Sequence, residues 1–453
     1  MKELRLLAPT AILGYGFPVE SFERGMELKP HLIGIDAGSI DPGPFYLGKG
    51  KSFTDKNGVK RDLEIILEAA CREGIPVLIG TAGGSGAKEH LDWNEKIIEE
   101  IAAEKNLSFK LARIDADFSS EYVLSKLQEG DISPLTGAPR LESKDVRETK
   151  RIVGQMGIEP FQKALEQGAQ VVLAGRAYDP VCFGAMPVNM GFDPGLSLHL
   201  GKILECAAIA AKPGSGRDCM FGILREDHFI LHPVNPDRVC TPDSVAAHSL
   251  YEKSDPFHLH GPGGELDLTE TKYEQVDERA VKVSGTKFVE TPYAIKIEGA
   301  RLMGYRSISI AGVRDPVMIE NIEEITKDVK ESVKDNFGET EGNLNFRLYG
   351  YNGVMGELEP VHDKGHELGI VIEAVASSQE RANTILSFAR STLLHVGYEG
   401  RLSTAGNLAF PYSPSDIEAG EVYEFSMHHL VENIDPVDAF PIQLQDVGAG
   451  GRH

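Results

Sequence analysis

The stretch that decides the fold is an apolar run followed at once by a polar, turn-rich segment. Residues 31–44 read HLIGIDAGSIDPGP. The run predicts a strand over Leu32–Ile35, and the nine residues after it include two acids, a serine, two glycines and two prolines. A plain turn needs only one or two such residues. In an open α/β sheet, ligands bind beyond the carboxyl ends of the strands. The stretch therefore indicates a parallel sheet with a site at its edge.

The same alternation continues through the first 210 residues. The other predicted strands are Leu4–Ala8, Val77–Ile79, Phe109–Ile114 and Val171–Ala174. The predicted helices between them are Asp62–Glu73, Ala87–Glu104, Tyr122–Leu127 and Pro160–Gln167. Strands that are solid apolar runs are typical of sheets buried on both faces. Strand–helix alternation at this spacing predicts an α/β fold with a parallel, doubly wound, Rossmann-like sheet.

The rest of the chain predicts two further regions. A helix over Leu198–Ala211 ends at a Lys-Pro-Gly stop and closes an α/β domain, residues 1–212, that carries most of the site. Residues 213–288 are rich in strands and loops. Residues 289–453 alternate strand pairs with helices, which predicts an α+β unit of split-sheet type with an irregular tail.

Composition narrows the classes of partner and compartment. The 453 residues include 46 basic and 69 acidic ones, a formal charge of −23. Nucleic acid and anionic membranes both require positive potential, so neither is an expected partner. Five cysteines without CxxC spacing favour reduced thiols rather than a disulfide framework. Because the sequence shows neither a signal-like start nor a long apolar run, we expect a soluble cytoplasmic protein.

Polar or glycine residues follow all five predicted strands. The candidate site residues on these segments are Thr10, Asp36, Gly38, Ser39, Thr81, Gly83, Gly84, Ser85, Gly86, Asp115, Arg176, Tyr178 and Asp179. Because the carboxyl ends of parallel strands meet at one edge of a sheet, we expect these segments to form one pocket for negatively charged metabolites.

Each candidate also has a structural alternative. The glycine-rich loop 80–86 precedes a helix, so its amides would hold a carboxylate or phosphate, although a tight turn explains it too. Asp36 and Ser39 would polarise a substrate or hold a metal, and Asp41 adds a second acid that a turn does not need, although Asp36 could instead cap local amides. Arg176 suits a bidentate grip on a carboxylate, but Asp179, three residues on, could pair with it instead.

A second candidate group lies in the middle of the chain. His248 and Glu252 are four residues apart on a predicted helix and therefore share a face. This spacing would serve proton transfer or one edge of a metal site, but a surface hydrogen-bonded pair gives the same pattern. Cys206 lies on an apolar helix and is typical of a core residue. Tyr178 would be an acid or hydrogen-bond donor if its pKa were lowered.

Six segments together resemble a known family. They are DAGS (Asp36–Ser39), GTAGG (Gly80–Gly84), AGRAYDP (Ala174–Pro180), KILEC (Lys202–Cys206), SVAAHSLYE (Ser244–Glu252) and GNLAFPYSPS (Gly406–Ser415). As an ordered set they resemble the acyclic terpene utilisation (AtuA-type) family, and they span nearly the whole chain. The last segment adds Asn407 to the candidate substrate-binding residues.

The resemblance implies an enzyme of carboxylic acid or acyl-CoA breakdown. One branch of the family is assigned to hydration or cleavage of a branched thioester late in terpene degradation. Other members are associated with small partner proteins and with branched dicarboxylic acids. Longer members resemble this chain with an appended ferredoxin-like domain, so we expect a separate small subunit and a homo- or hetero-oligomer.

The leading hypothesis is a lyase, specifically a hydro-lyase. It would add or remove water in a small branched or unsaturated dicarboxylic acid, mesaconate- or citramalate-like, or in its acyl-CoA ester. Such chemistry needs an anion clamp, a base for the α-proton and an acid for the departing hydroxyl. Arg176 and the amides of residues 83–86 would be the clamp, and Asp36 or Asp179 the base.

Tyr178 or Ser39 would assist the hydroxyl group. The sequence requires no organic cofactor. A divalent cation such as Mg²⁺ could be held by Asp36, Asp41 and Asp179, although their spacing does not resemble a metal-binding cage.

Two alternatives belong to other classes. An amide or thioester hydrolase would use Ser39 or Cys206 as nucleophile, but neither lies in a GxSxG elbow. A non-catalytic acid-binding subunit of a two-component enzyme would use the same edge of the sheet without turnover.

Overall fold

A computed structural model describes most of the chain as two compact units. The described residues are 2–251, 255–338, 342–401 and 407–448. The first unit comprises Met1–Arg301 with Phe425–His453, and the second comprises Leu302–Glu424. No helix in the described ranges combines the length and the apolar character that crossing a bilayer requires.

Strands and helices alternate through the N-terminal part of the first unit. The strands are β1 (Glu3–Ala8), β2 (Leu32–Asp36), β3 (Val77–Gly80), β4 (Phe109–Ile114), β5 (Ile132–Pro134), β6 (Thr149–Gly154) and β7 (Val171–Ala174). The helices are α1 (Val19–Glu27), α2 (Pro44–Lys49), α3 (Lys56–Glu73), α4 (Lys88–Lys105), α5 (Ser120–Glu129), α6 (Ser143–Glu148), α7 (Glu159–Glu166), α8 (Val181–Asn189) and α9 (Pro194–Leu204). The α3 helix begins earlier than predicted because Asp55 caps it, accepting from the amide of Asn57 at 2.8 Å.

Five of these strands form a parallel core in the order β1-β2-β3-β7-β4. Ile79 of β3 packs with Ile97 of α4 in the core on one face, whereas Leu78 packs in the other core, with Phe183 of α8. The predicted α/β class with helices on both faces is therefore confirmed. Because the connections that leave β3 and β7 cover opposite faces, their carboxyl ends flank a topological switch point, where open α/β sheets bind ligands.

The middle of the chain extends the same sheet. Its elements are β8 (Met220–Arg225), β9 (His228–Pro233), α10 (Pro242–Leu250), β10 (His258–Gly261), β11 (Gly264–Asp267), β12 (Lys272–Gln275), β13 (Val281–Ser284) and β14 (Lys287–Glu290). Strand β8 pairs antiparallel with β1, and β9, β13 and β12 follow it to the edge. The first unit therefore continues through the sequence divisions at 212 and 288. The helix predicted over Leu198–Ala211 ends at Leu204, and a 3₁₀ turn, Ala207–Ala210, follows.

The C-terminal third contributes to both units. Its elements are β15 (Ala294–Val313), α11 (Pro316–Glu320), α12 (Ile322–Phe337), β16 (Asn343–Tyr349), β17 (Leu368–Ala376), α13 (Gln379–His395), β18 (Asp416–Glu432) and β19 (Ile442–Val447). In the second unit, β17 pairs antiparallel with β16 and with residues 305–313 of β15. Helices α12 and α13 share one apolar core with these strands.

The prediction of an irregular tail is wrong for two stretches, which form strands β18 and β19. Strand β19 pairs with β4 along its whole length, and residues 429–431 of β18 pair with β5. The sequence IQLQDV of β19 alternates apolar and polar residues only weakly. It forms a strand because it pairs with the free edge of β4. Of the glycine-rich tail, only Gly448 lies among the described residues.

Candidate functional site

The loops that follow β2, β3 and β7 touch one another at the switch point. A Cβ atom on Gly38 would lie 2.3 Å from the Cα of Gly84, so this approach requires glycine. The carbonyl of Gly86 accepts a hydrogen bond from the amide of Arg176 at 3.1 Å. The structure therefore brings these three segments together, as the sequence places them at one edge of the sheet.

Thr81 ties the end of β3 to the end of β7. Its amide donates to the carbonyl of Gly175 at 3.0 Å, and its hydroxyl accepts from the amide of Ala177 at 3.3 Å. Its φ of +49° lies in the left-handed region, which β-branched residues rarely enter. Backbone strain of this kind costs on the order of 1–3 kcal/mol and clusters at functional sites.

Arg176 lies between two carboxylates. Its Nε donates to Glu298 at 2.7 Å and its Nη1 donates to Asp179 at 3.0 Å. Glu298 is fully buried and also lies 2.6 Å from the Nζ of Lys296. Burial opposes ionisation of Glu298, but the two cations outweigh it and lower its pKa to about 2. The pairing with Asp179 that the sequence left open is therefore present, and the guanidinium is not free to grip a substrate alone.

Asp36 is a buried carboxyl group at the end of β2. Its side chain accepts from the amide of Gly38 at 3.3 Å. Burial raises its pKa well above the usual 3.8, and the charges of Asp179 and Glu205 raise it further. This environment favours the protonated, hydrogen-bond-donating form of Asp36 to a higher pH than that of an ordinary aspartic acid.

Asp179 has the opposite environment. Its side chain is 31% exposed, and Arg176 pairs with it directly. The edge of the sheet therefore presents one buried and one partly exposed acid near each other.

A second buried ion pair lies beside these acids. Lys202 Nζ is 2.6 Å from Glu205 Oε1, at the end of α9, and both side chains are almost inaccessible. Burial and then the charge of Glu205 raise the pKa of Tyr178, so its hydroxyl stays protonated and can donate. Sequence reasoning did not select Lys202 and Glu205. The signal was that opposite charges three residues apart within an apolar helix are buried only when paired.

His248 joins the same group from α10. Its ring packs on Tyr251 with centroids 4.9 Å apart, and its Nε2 has no hydrogen-bond partner within the described chain. Burial, followed by the charge of Lys202, lowers its pKa to about 4, so the ring is neutral at pH 7. Its predicted partner Glu252 lies outside the described residues. We call the following set the charged cluster: Asp36, Arg176, Tyr178, Asp179, Lys202, Glu205, His248, Lys296 and Glu298.

Two members of the charged cluster, Tyr178 and Lys296, also line a cavity of about 510 Å³. The other polar or charged residues that line it are Gln155, Asp255, His258, His260, Thr291 and Glu432. The Nδ1 of His258 lies 3.0 Å from Asp255, which raises the pKa of His258. Polar groups of both signs around a partly apolar cavity are typical of a small-molecule site.

The glycine-rich loop is less open to anions than predicted. In residues 80–86, the amides of Gly84 and Gly86 already donate to carbonyls of the same loop, at 3.4 and 3.2 Å. A Cβ on Gly83 would lie 2.7 Å from its nearest neighbour on α4. The Ser85 hydroxyl is buried and has no partner within the described chain. Tight packing therefore explains most of the glycines in this loop without an anion.

Two further predicted residues make local structural bonds. The Thr10 hydroxyl donates to the carbonyl of Gly216 at 3.0 Å and so fixes the loop after β1. The Ser39 hydroxyl accepts from the amide of Asp41 at 3.0 Å, which closes a turn.

The last two predicted residues also make structural contacts. Asp115 accepts from Arg113 at 2.9 Å and from Gln443 at 3.2 Å, so it has a structural ion pair. Asn407 belongs to the second unit, where its backbone N–H donates to the carbonyl of Leu394 at 3.3 Å.

The described ranges contain no group of three or more His, Cys, Asp or Glu side chains placed to hold a metal ion. Asp41, predicted to bind a cation together with Asp36 and Asp179, is exposed on its turn. Cys206 lies 3.5 Å from the Tyr251 hydroxyl, and burial raises its pKa, as does Glu205. The thiol is therefore protonated at neutral pH.

Three comparisons with known proteins were made. A family model described as "Acyclic terpene utilisation family protein AtuA" matches residues 51–213 and 227–412. A search of curated proteins and a search of solved structures found no match. The two matched ranges together make up most of the chain and include Thr81, Arg176, Asp179, Lys202 and His248.

Proposed function

The chain belongs to the acyclic terpene utilisation family AtuA, and we propose that it is a lyase that adds or removes water beside a carboxylate. Its substrate would be a small branched or unsaturated dicarboxylic acid or the acyl-CoA ester of one. One observation carries the proposal: the buried Asp36, whose pKa is raised, lies close enough to the partly exposed Asp179 to feel its charge. Two carboxyl groups in such different environments, one buried and one partly exposed, are suited to act as acid and base.

The roles follow from these two environments. Asp179, paired with Arg176, takes the proton from the carbon next to the substrate's carboxylate. The carbon–carbon double bond forms as the carbon–oxygen bond breaks, and Asp36 donates its proton to the departing hydroxyl, which leaves as water. In the hydration direction the same two groups exchange these roles.

The cavity supplies the binding part of the proposal. Lys296 presents positive charge to it, Asp255 raises the pKa of His258, and Tyr178 can donate from the side of the charged cluster. Charge-assisted contacts of this kind would orient a dicarboxylate. A volume of about 510 Å³ is in the range of small-ligand sites.

The two alternatives find less support. Ser39 accepts a backbone hydrogen bond in a turn, and the protonated Cys206 lacks an activating base within hydrogen-bond distance among the described residues. An acid-binding subunit without turnover would use the same cavity. The small second subunit, the cytoplasmic location and the use of Mg²⁺ stay proposals.

The test is incubation with mesaconate, citramalate and related acids in water enriched in heavy oxygen. Label in a substrate hydroxyl supports the lyase, label in a released carboxylate supports a hydrolase, and binding without turnover supports the binding subunit. Asp36→Asn and Asp179→Asn should each abolish hydroxyl labelling, whereas Asp41→Asn, an exposed matched control, should not. Each reaction is run with and without a candidate small partner protein.

A further inference from the structure

A cleft of about 700 Å³ lies at the carboxyl end of β1 and shares no lining residue with the cavity beside the charged cluster. Its lining residues are Gly14, Tyr15, Gly16, Phe17, Pro18, Gly58, Arg61, Asp62, Ser215 and Arg217. Two arginines in one cleft are unexpected in a chain whose formal charge is −23.

Both guanidinium groups face the same point above the loop. A Cβ atom on Gly16 would lie 3.5 Å from Nη1 of Arg61 and 3.7 Å from Nη2 of Arg217. Gly16 has a φ of +81°, a conformation that L side chains rarely adopt. The loop therefore brings its bare backbone to the place where the two cations meet.

Only one of the two charges is neutralised within the cleft. Asp62 is fully buried, lies 2.7 Å from Arg61 and accepts the amides of Gly14 and Gly16 at 3.0 Å each. Arg217 is exposed and has no ion-pair partner among the described residues. The cleft thus carries a net positive charge with a preformed backbone around it.

We propose that this cleft binds a phosphate group bridging Arg61 and Arg217. A phosphate carries more charge than one carboxylate and has enough oxygens to accept from two guanidinium groups at once. The ring of Tyr15, 46% exposed in the same cleft, provides a flat face on which a nucleoside base would stack.

The phosphate could come from the nucleotide part of an acyl-CoA or from free phosphate. Assigning it to an acyl-CoA substrate rests on the proposed function, but phosphate binding itself does not. If a nucleotide occupies the cleft, it favours the acyl-CoA ester over the free acid as the substrate.

Calorimetric titration of the full chain with coenzyme A, inorganic phosphate and mesaconate tests the proposal. We expect Arg217→Ala to weaken binding of a phosphate probe about tenfold or more, the usual loss for a charge-assisted contact. The affinity of Arg217→Lys for the phosphate probe should lie between those of the unaltered chain and of Arg217→Ala. The matched control is Arg225→Ala, which removes a partly exposed arginine of β8 that is paired with Glu3 of β1.

The outcomes of the titration distinguish a nucleotide from free phosphate, and they distinguish failure of this proposal from failure of the proposed function. Coenzyme A binding far more tightly than phosphate identifies the nucleotide, and equal affinities identify free phosphate. Absence of binding by both phosphate probes, or unchanged affinity in Arg217→Ala, overturns the proposal. Because the titration involves no turnover, a failed hydration assay has no bearing on it.

Discussion

Arg176 and Glu298 form an ion pair 2.7 Å long in which the two side chains are only 4% and 0% exposed. Each of these charges needs a partner there, because an unpaired buried charge costs several kcal/mol. The pair is therefore the structural base of the charged cluster. Through the same guanidinium it holds Asp179, whose side chain still reaches solvent.

Removing one partner of this pair should destabilise the fold. We expect Arg176→Ala to lower the free energy of unfolding by about 3–5 kcal/mol, because the buried Glu298 would lose one of its two cationic partners and keep only Lys296. Urea denaturation at pH 7 measures this. Arg225→Ala, whose ion pair with Glu3 is about one-third exposed, should cost about 1 kcal/mol or less. Equal losses in the two variants would contradict the structural role.

Asp36 should make the protein less stable as the pH rises. In the folded chain it keeps its proton to a pH at which the unfolded chain, with the ordinary pKa of 3.8, has released it. The folded state therefore binds more protons above pH 3.8, and stability falls until the pH passes the raised pKa. Asp36→Asn should flatten this slope in urea denaturation measured across pH. An unchanged slope, equal to that of Asp41→Asn, would mean that Asp36 titrates normally.

Glu205 should tune the acid through its charge. Because the charge of Glu205 raises the pKa of Asp36, Glu205→Gln should lower that pKa. An acid is active only while protonated, so the basic limb of the kcat/KM profile should move to lower pH in the variant. A basic limb that stays in place in a folded variant would remove Glu205 from this role.

The hydrolase alternative requires Cys206 or Ser39 as the nucleophile, whereas the proposed lyase requires neither. Cys206→Ala and Ser39→Ala should each keep turnover within about a factor of three, because the thiol is protonated and the hydroxyl closes a turn. Loss of a nucleophile costs on the order of 10⁴-fold or more. A loss of that size in either variant, with its unfolding curve unchanged, would favour the hydrolase.

The sequence predicted the scaffold of the site because the signals there are local. Phe109–Ile114 and Val171–Ala174 are solid apolar runs, and their predicted bounds match β4 and β7. Parallel topology then places the loops after the strands at one edge, so Asp36, Gly84 and Arg176 could be grouped without coordinates.

The partners of those residues are not local. Glu298, which fixes Arg176, lies 122 residues further along the chain and arrives through the pairing of β15 with β6. Sequence spacing could offer only Asp179 as a partner. Likewise, the Lys202–Glu205 pair was visible as a pattern, but its place beside Asp36 depends on how α9 packs in the fold.

We expect the buried Asp36, next to Asp179, to keep its proton up to neutral pH. The most direct measurement is the infrared difference spectrum between the full chain and Asp36→Asn at pH 7, in the region of the protonated carboxyl stretch. We expect a protonated-carboxyl band in the unaltered chain that is missing in Asp36→Asn and is retained in Asp41→Asn. Identical spectra in this region would show that Asp36 is ionised, which would contradict its role as the acid.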